Sequence, residues 1–193
     1  IHELPVYDED GKPTGEVQVI YPRYHQLDAV RKLVADARVR GPGGRYLIQH
    51  SAGSGKSYTI SWLAHQLASL HDAADQPVFD SIIVITDRRQ LDQQIQQHVE
   101  DFEQTRGLVQ PIKGTSQQLK GALESGKRIV VSTLQKFPVI SDEIGDLPGN
   151  HFAVIIDEAH SSQSGEQSKH LKAVLSAGSL DEAAAQDETE GED

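Results

Sequence analysis

Three short runs of this chain are apolar at almost every position: Ser81–Thr86 (SIIVIT), Arg128–Ser132 (RIVVS) and Phe152–Ile156 (FAVII). A strand with one face in water alternates apolar and polar side chains, whereas a strand without that alternation is covered on both faces. Between these runs lie segments with a helical period. Residues 24–39 repeat Leu27, Val30, Leu33, Val34 and Ala37 at three- and four-residue steps, and Gly41-Pro42-Gly43-Gly44 stops them. Residues 57–70, the Gln-rich 88–102 (Leu91, Ile95, Val99 and Phe102 on one side), 116–124 and 167–176 read as further helices. Buried strands alternating with helices predict a doubly wound α/β domain with a mainly parallel sheet and right-handed crossovers. Tyr46–Ile48 and Leu108–Ile112 are expected as additional strands.

The ends differ from this body. Leu4–Tyr7 and Glu16–Ile20 are β-prone and flank the turn-rich DEDGKPTG, which predicts a β-hairpin closed by Pro22. Residues 179–193 are acidic and are expected to lack packed structure. The expected division is therefore 1–22 as hairpin and linker, 23–178 as the α/β domain and 179–193 as tail. The formal net charge of −11 also belongs to the ends. Seven acids lie in the last fourteen residues and four in the first ten, which leaves 18 acids against 18 bases in residues 11–179. The acidic total is thus no argument against a nucleic-acid partner for the body.

Composition excludes several chemistries. The chain has no cysteine, hence no disulfide framework, thiolate metal site or cysteine nucleophile. It contains no run of eighteen apolar residues and no signal-peptide pattern, so a cytoplasmic location without a membrane partner is expected. It also has no methionine, which points to a processed chain or a piece of a longer polypeptide. The nine histidines show no metal-ligand spacing.

Two motifs carry chemistry. HSAGSGKS, His50–Ser57, stands between an expected strand and an expected helix. Gly53 and Gly55 tolerate the angles that let the N–H groups of Ala52, Gly53, Ser54, Gly55 and Lys56 wrap a phosphate. Lys56 would reach the β- and γ-phosphates, Ser57 would ligate Mg²⁺, and the helix N-terminus adds its positive end. The general pattern places glycine where this chain has His50. AVIIDEAH, Ala153–His160, ends an apolar strand in two carboxylates. Asp157 is expected to hold Mg²⁺, Glu158 to orient or deprotonate a water, and His160 to link the site to its neighbours. Together the motifs imply a nucleoside triphosphate·Mg²⁺ site, for ATP or GTP, at the carboxyl ends of the strands.

With YPRYHQLDAV, QHSAGSGKS, VITDRRQLDQQI, VVSTLQKF and VIIDEAHSSQSG in that order, residues 4–168 resemble the motor region of the R (HsdR) subunit of type I restriction enzymes. The resemblance implies a RecA-like P-loop NTPase domain of a superfamily 2 helicase or translocase, of DEAH-box type, with histidine familiar at position 50. It implies that Gln26 reads adenine, with Tyr24 or Tyr21 nearby. It further implies DNA contacts from Thr86, Arg88 or Arg89, Ser132 and Thr133, with Gly114 and Thr115 as weaker candidates. The implied partners are double-stranded DNA, the modification and specificity subunits, and a second RecA-like domain in cis. The third helicase motif does not occur before Asp193, so an interior strand of the sheet is expected to be missing. Another superfamily 2 motor, of type III restriction or remodelling kind, and a nucleotide-binding module with negligible turnover are the alternatives.

Overall fold

The computed structural model describes residues 2–8, 10, 12–86, 95–96, 98–102, 107–141, 143–144, 147–149, 151–157 and 165–176, the backbone alone at 2–5, 7, 165–168 and 176. The hairpin comes first: β1 (His2–Tyr7) pairs antiparallel with β2 (Pro13–Ile20), Glu3 opposite Val19 and Pro5 opposite Val17. The Asp8 carboxylate closes its turn by accepting from the N–H groups of Asp10 (3.0 Å) and Lys12 (2.8 Å).

The body follows with α1 (Tyr24–Arg40), α2 (Lys56–Ala68), β3 (Ser81–Thr86), β4 (Val109–Pro111), α3 (Ser116–Glu124), β5 (Ile129–Thr133), a 3₁₀ turn (Leu134–Lys136), α4 (Phe137–Ile140), β6 (Phe152–Ile156) and α5 (Gly165–Ser176). Residues 98–101 are also helical. The four body strands form one parallel sheet in the order β4-β5-β3-β6. Ile83 lies opposite Val130 on one side and Val154 on the other.

Alternation along the buried strands divides the core in two. Ile82, Val84, Ile129 and Val131 face one way, onto Val30 and Ala37 of α1, Leu63 and Leu67 of α2, and Ile95 and Val99. Ile83, Ile85 and Val130 face the other way, onto Leu119 and Leu123 of α3, Phe137 and Ile140 of α4, and Leu171 and Val174 of α5. Each such side chain contributes about 1.5–3 kcal/mol by leaving water. Helices on both faces of a parallel sheet are the doubly wound arrangement that the apolar runs predict.

Arg128, just before β5, fixes the orientation of α2. Its guanidinium donates to the carbonyls of Phe79 (2.7 Å) and Asp80 (3.0 Å), which precede β3, and to Ala68 at the carboxyl end of α2. The last turn of α2 is thereby held at the starting ends of β3 and β5.

One expectation is overturned. Tyr46–Ile48 is not a strand. Leu47 is 85% exposed, and the Tyr46 hydroxyl donates to the Asp36 carboxylate of α1 at 2.7 Å. A lone extended segment has no partner for its N–H and C=O groups, so apolar composition alone does not make it a strand. Among the described residues no strand pairs with the outer edge of β6, where Val154 and Ile156 are each 38% exposed. The 3₁₀ turn and α4 have no counterpart in the sequence reading, because Pro138 and a four-residue length hide a helical period.

Candidate nucleotide site

The loop before α2 has the backbone that its glycines allow. Gly53 and Gly55 lie at φ 72° and 82°, in the left-handed region that favours glycine. A Cβ on Gly55 would sit 2.6 Å from Nε2 of Gln26, so this glycine is also required by close approach. Ser54 N–H donates to Ser51 O (3.3 Å), and the Gly55 carbonyl starts α2 by accepting from Tyr58 N (3.1 Å) and Thr59 N (3.2 Å). Ser51, Ala52 and Gly53 are exposed at the mouth, Lys56 and Ser57 are half-buried, and Ser54 is buried.

The first turn of α1 holds this loop from behind. Gln26 is buried, and both ends of its amide are in use. Its oxygen accepts from Arg23 N–H (2.7 Å), capping α1, while its nitrogen donates to the carbonyls of Ser54 (3.3 Å) and Gly55 (2.9 Å). His25 reaches the same Ser54 carbonyl with Nε2 at 3.2 Å. The His25 ring meets His50 edge-on, with centroids 4.9 Å apart. Two buried polar atoms of the loop, Nδ1 of His50 and Oγ of Ser54, have no hydrogen-bond partner. Burial, then the neighbouring His25 and Lys56, push the His50 imidazole below its ordinary value of 6.5 and so favour its neutral form.

Asp157 follows β6, and its N–H donates to Ile85 O at 2.9 Å. It therefore sits at the carboxyl end of the sheet. Since Arg128 pins the carboxyl end of α2 to the opposite end of the sheet, where β3 and β5 start, the α2 N-terminus, with Lys56 and Ser57, points toward the end that carries Asp157. A helix of 13 residues spans about 20 Å, comparable to the height of the sheet.

The other expected site residues divide by burial. Thr86, Ser132 and Thr133, at the carboxyl ends of β3 and β5, are buried, and Ser132 Oγ lies 3.5 Å from Thr133 O. Gly114 and Thr115, at the start of α3, are exposed, with Gly114 N–H bonded to the Gln118 side chain (2.9 Å). The hydroxyls first singled out for DNA are thus inside, and the secondary candidates are on the surface. Glu158, His160, Arg88 and Arg89 lie outside the described residues, as does the tail 179–193. Among the described residues no cluster of three or more His, Asp or Glu side chains is arranged for a metal, and no helix is long and apolar enough to cross a membrane.

Sequence reasoning did not single out His25, although its place beside Gln26 in one helical turn was a usable signal. It also missed an aromatic group behind α2, where Tyr58 stacks on His98 with centroids 4.6 Å apart and Trp62 meets Phe102 edge-on at 5.4 Å.

Residues 25–180 match the family described as SWI2/SNF2 ATPase. The chain is 30% identical over 156 residues to the type I restriction enzyme SauCOLORF180P endonuclease subunit of Staphylococcus aureus (strain COL), covering 78% of this chain and 16% of that protein. It is 28% identical over 170 residues to the type I restriction enzyme HindI endonuclease subunit of Haemophilus influenzae, covering 82% of this chain and 15% of that protein. The chain thus spans only a small part of the length of these relatives. The crystal structure of the UvsW helicase from bacteriophage T4 superposes with a TM-score of 0.51 at 18% identity, over 93% of this chain and 58% of that one, a likeness of fold. The chain belongs to the SWI2/SNF2 ATPase family, and its homologues are the endonuclease subunits of type I restriction enzymes.

Proposed function

We propose that this chain is the ATP- and Mg²⁺-binding core of a motor that moves along double-stranded DNA, within the endonuclease subunit of a type I restriction enzyme. The observation that supports it most is the glycine-bent loop at the start of α2, facing the same end of the sheet as Asp157. N–H groups from Ala52 to Lys56 cradle the phosphates, and the Lys56 ammonium reaches the terminal ones. Mg²⁺ takes hard oxygen ligands and keeps most of its waters, so one hydroxyl (Ser57) and one carboxylate (Asp157) suit it. When bound, the ion neutralises charge on the β- and γ-phosphates. Glu158 orients or deprotonates the attacking water, and His160 couples the site to its surroundings.

Gln26 as adenine reader has a condition attached: its amide is committed to Arg23, Ser54 and Gly55, so reading a base requires exchanging one of those bonds. For DNA, the exposed Gly114 and Thr115 fit better than the buried Thr86, Ser132 and Thr133, with Arg88 and Arg89 as cationic contacts. The open edge of β6 would receive a further strand carrying the third motif, placing 46–48 beyond it. The second RecA-like domain would supply the transition-state arginine, and the modification and specificity subunits would choose the DNA site in the cytoplasm. A remodelling-type or type III motor is the second reading, favoured by the breadth of the SWI2/SNF2 match. A nuclease pattern upstream of residue 1 would decide between them.

The test is binding of a fluorescent ATP analogue (mant-ATP) with Mg²⁺. Lys56→Ala should weaken it by at least about tenfold, the loss of one charge-assisted contact to phosphate, without lowering the melting temperature. Unchanged affinity would remove the assignment. The chain alone should turn over almost no ATP, and in the complete subunit Glu158→Gln should bind ATP without hydrolysing it.

A further inference from the structure

We infer that His25 is a positioning residue for the phosphate loop, an inference that rests on the nucleotide site proposed above. The carbonyl of Ser54 accepts from two side chains, Nε2 of His25 (3.2 Å) and Nε2 of Gln26 (3.3 Å), both from the first turn of α1. The Gly55 carbonyl, by contrast, is already held by the N–H groups of α2. The described backbone has no cis peptide, so the Ser54 C=O and the Gly55 N–H share one plane and point in opposite directions. Holding that carbonyl toward α1 therefore aims the Gly55 N–H away from α1, into the concave side of the loop where a phosphate would lie. Glycines on either side of Ser54 leave this peptide free to rotate unless something outside the loop fixes it.

The imidazole is itself fixed. It lies edge-on to His50, the residue standing where the general loop pattern has glycine. The two histidines thus form one unit, in which the His50 ring sets the plane of His25 and His25 donates to the loop. This arrangement needs the proton of His25 on Nε2.

Two variants separate the donor from the ring. His25→Phe keeps a ring against His50 and removes the donor, whereas His25→Gln removes the ring and keeps an N–H₂ of similar reach. With mant-ATP and Mg²⁺ as probe, His25→Phe should bind about three- to tenfold more weakly, the loss of one hydrogen bond. His25→Gln should stay within about twofold of wild type, and both should melt with the wild type in the absence of nucleotide. Wild-type affinity in His25→Phe, or an equal loss in both variants, would overturn the inference. Lys56→Ala is the parallel control: if it too binds normally, the nucleotide site itself fails rather than the role of His25. Should His25→Phe not fold, the ¹⁵N shifts of the His25 imidazole decide. A ring carrying a proton on Nε2 is expected, and an Nε2 without one would contradict it.

Discussion

β3 and β6 are built from nearly the same residues, SIIVIT and FAVII, and pair with each other in register, yet they live in different surroundings. β3 has a strand on either side and every residue buried. Among the described residues β6 has a strand, β3, on one side only, and Val154 and Ile156 remain partly in water. Tyr46–Ile48, equally apolar, pairs with no strand among the described residues and is exposed. Composition marks what a segment could bury, and its neighbours decide what it does bury.

Truncations should widen that contrast. Ile83→Ala in β3 should cost about 2–5 kcal/mol in denaturant unfolding, because a buried isoleucine leaves a cavity. Ile156→Ala in β6 should cost about 1 kcal/mol or less, and equal losses would mean that the two strands are covered alike. Arg128→Ala comes next, at about 2–3 kcal/mol, since three carbonyls lose a charged donor. At the small end, Leu47→Ser should change stability by no more than about 0.5 kcal/mol. A larger loss would show that 46–48 is already packed.

The loop before α2 gives a pH signature. The His50 imidazole is held below 6.5 by burial, His25 and Lys56, so the unfolded chain takes up the proton more readily than the folded one. Stability should therefore rise with pH from the lowered folded value up to about 6.5 and fall as the medium is acidified through that window. His98 is shifted the same way by burial against the opposing pull of Asp101, and it adds to the slope. His50→Asn should flatten part of the dependence, and an unaltered slope would exclude His50 as a source.

Much of the fold was legible because parallel strands buried on both faces cannot hide their apolar runs. The boundaries of β3, β6 and α3 agree with the expected ones to the residue, and α1 to within one. Legibility failed where the outcome depends on what lies beside a segment. Tyr46–Ile48 has the composition of a strand but no partner strand among the described residues. Ser132 and Thr133 look like surface hydroxyls at a strand end, yet both are buried there, and Gly114 and Thr115 are on the surface instead. In the site, the glycines announce the bend of the loop, but nothing in HSAGSGKS says that its Ser54 carbonyl is held from the first turn of α1, about thirty residues earlier. That contact is tertiary, and a motif read alone does not contain it.

The central claim is that ATP·Mg²⁺ is held by the loop before α2, at the carboxyl end of the sheet. Hydrogen exchange of the chain with and without ATP·Mg²⁺ tests it most directly. Slower exchange of the amides from Ala52 to Ser57 on adding the nucleotide, absent in Lys56→Ala, is the predicted result. Unchanged exchange across that loop, or equal protection in Lys56→Ala, would contradict it.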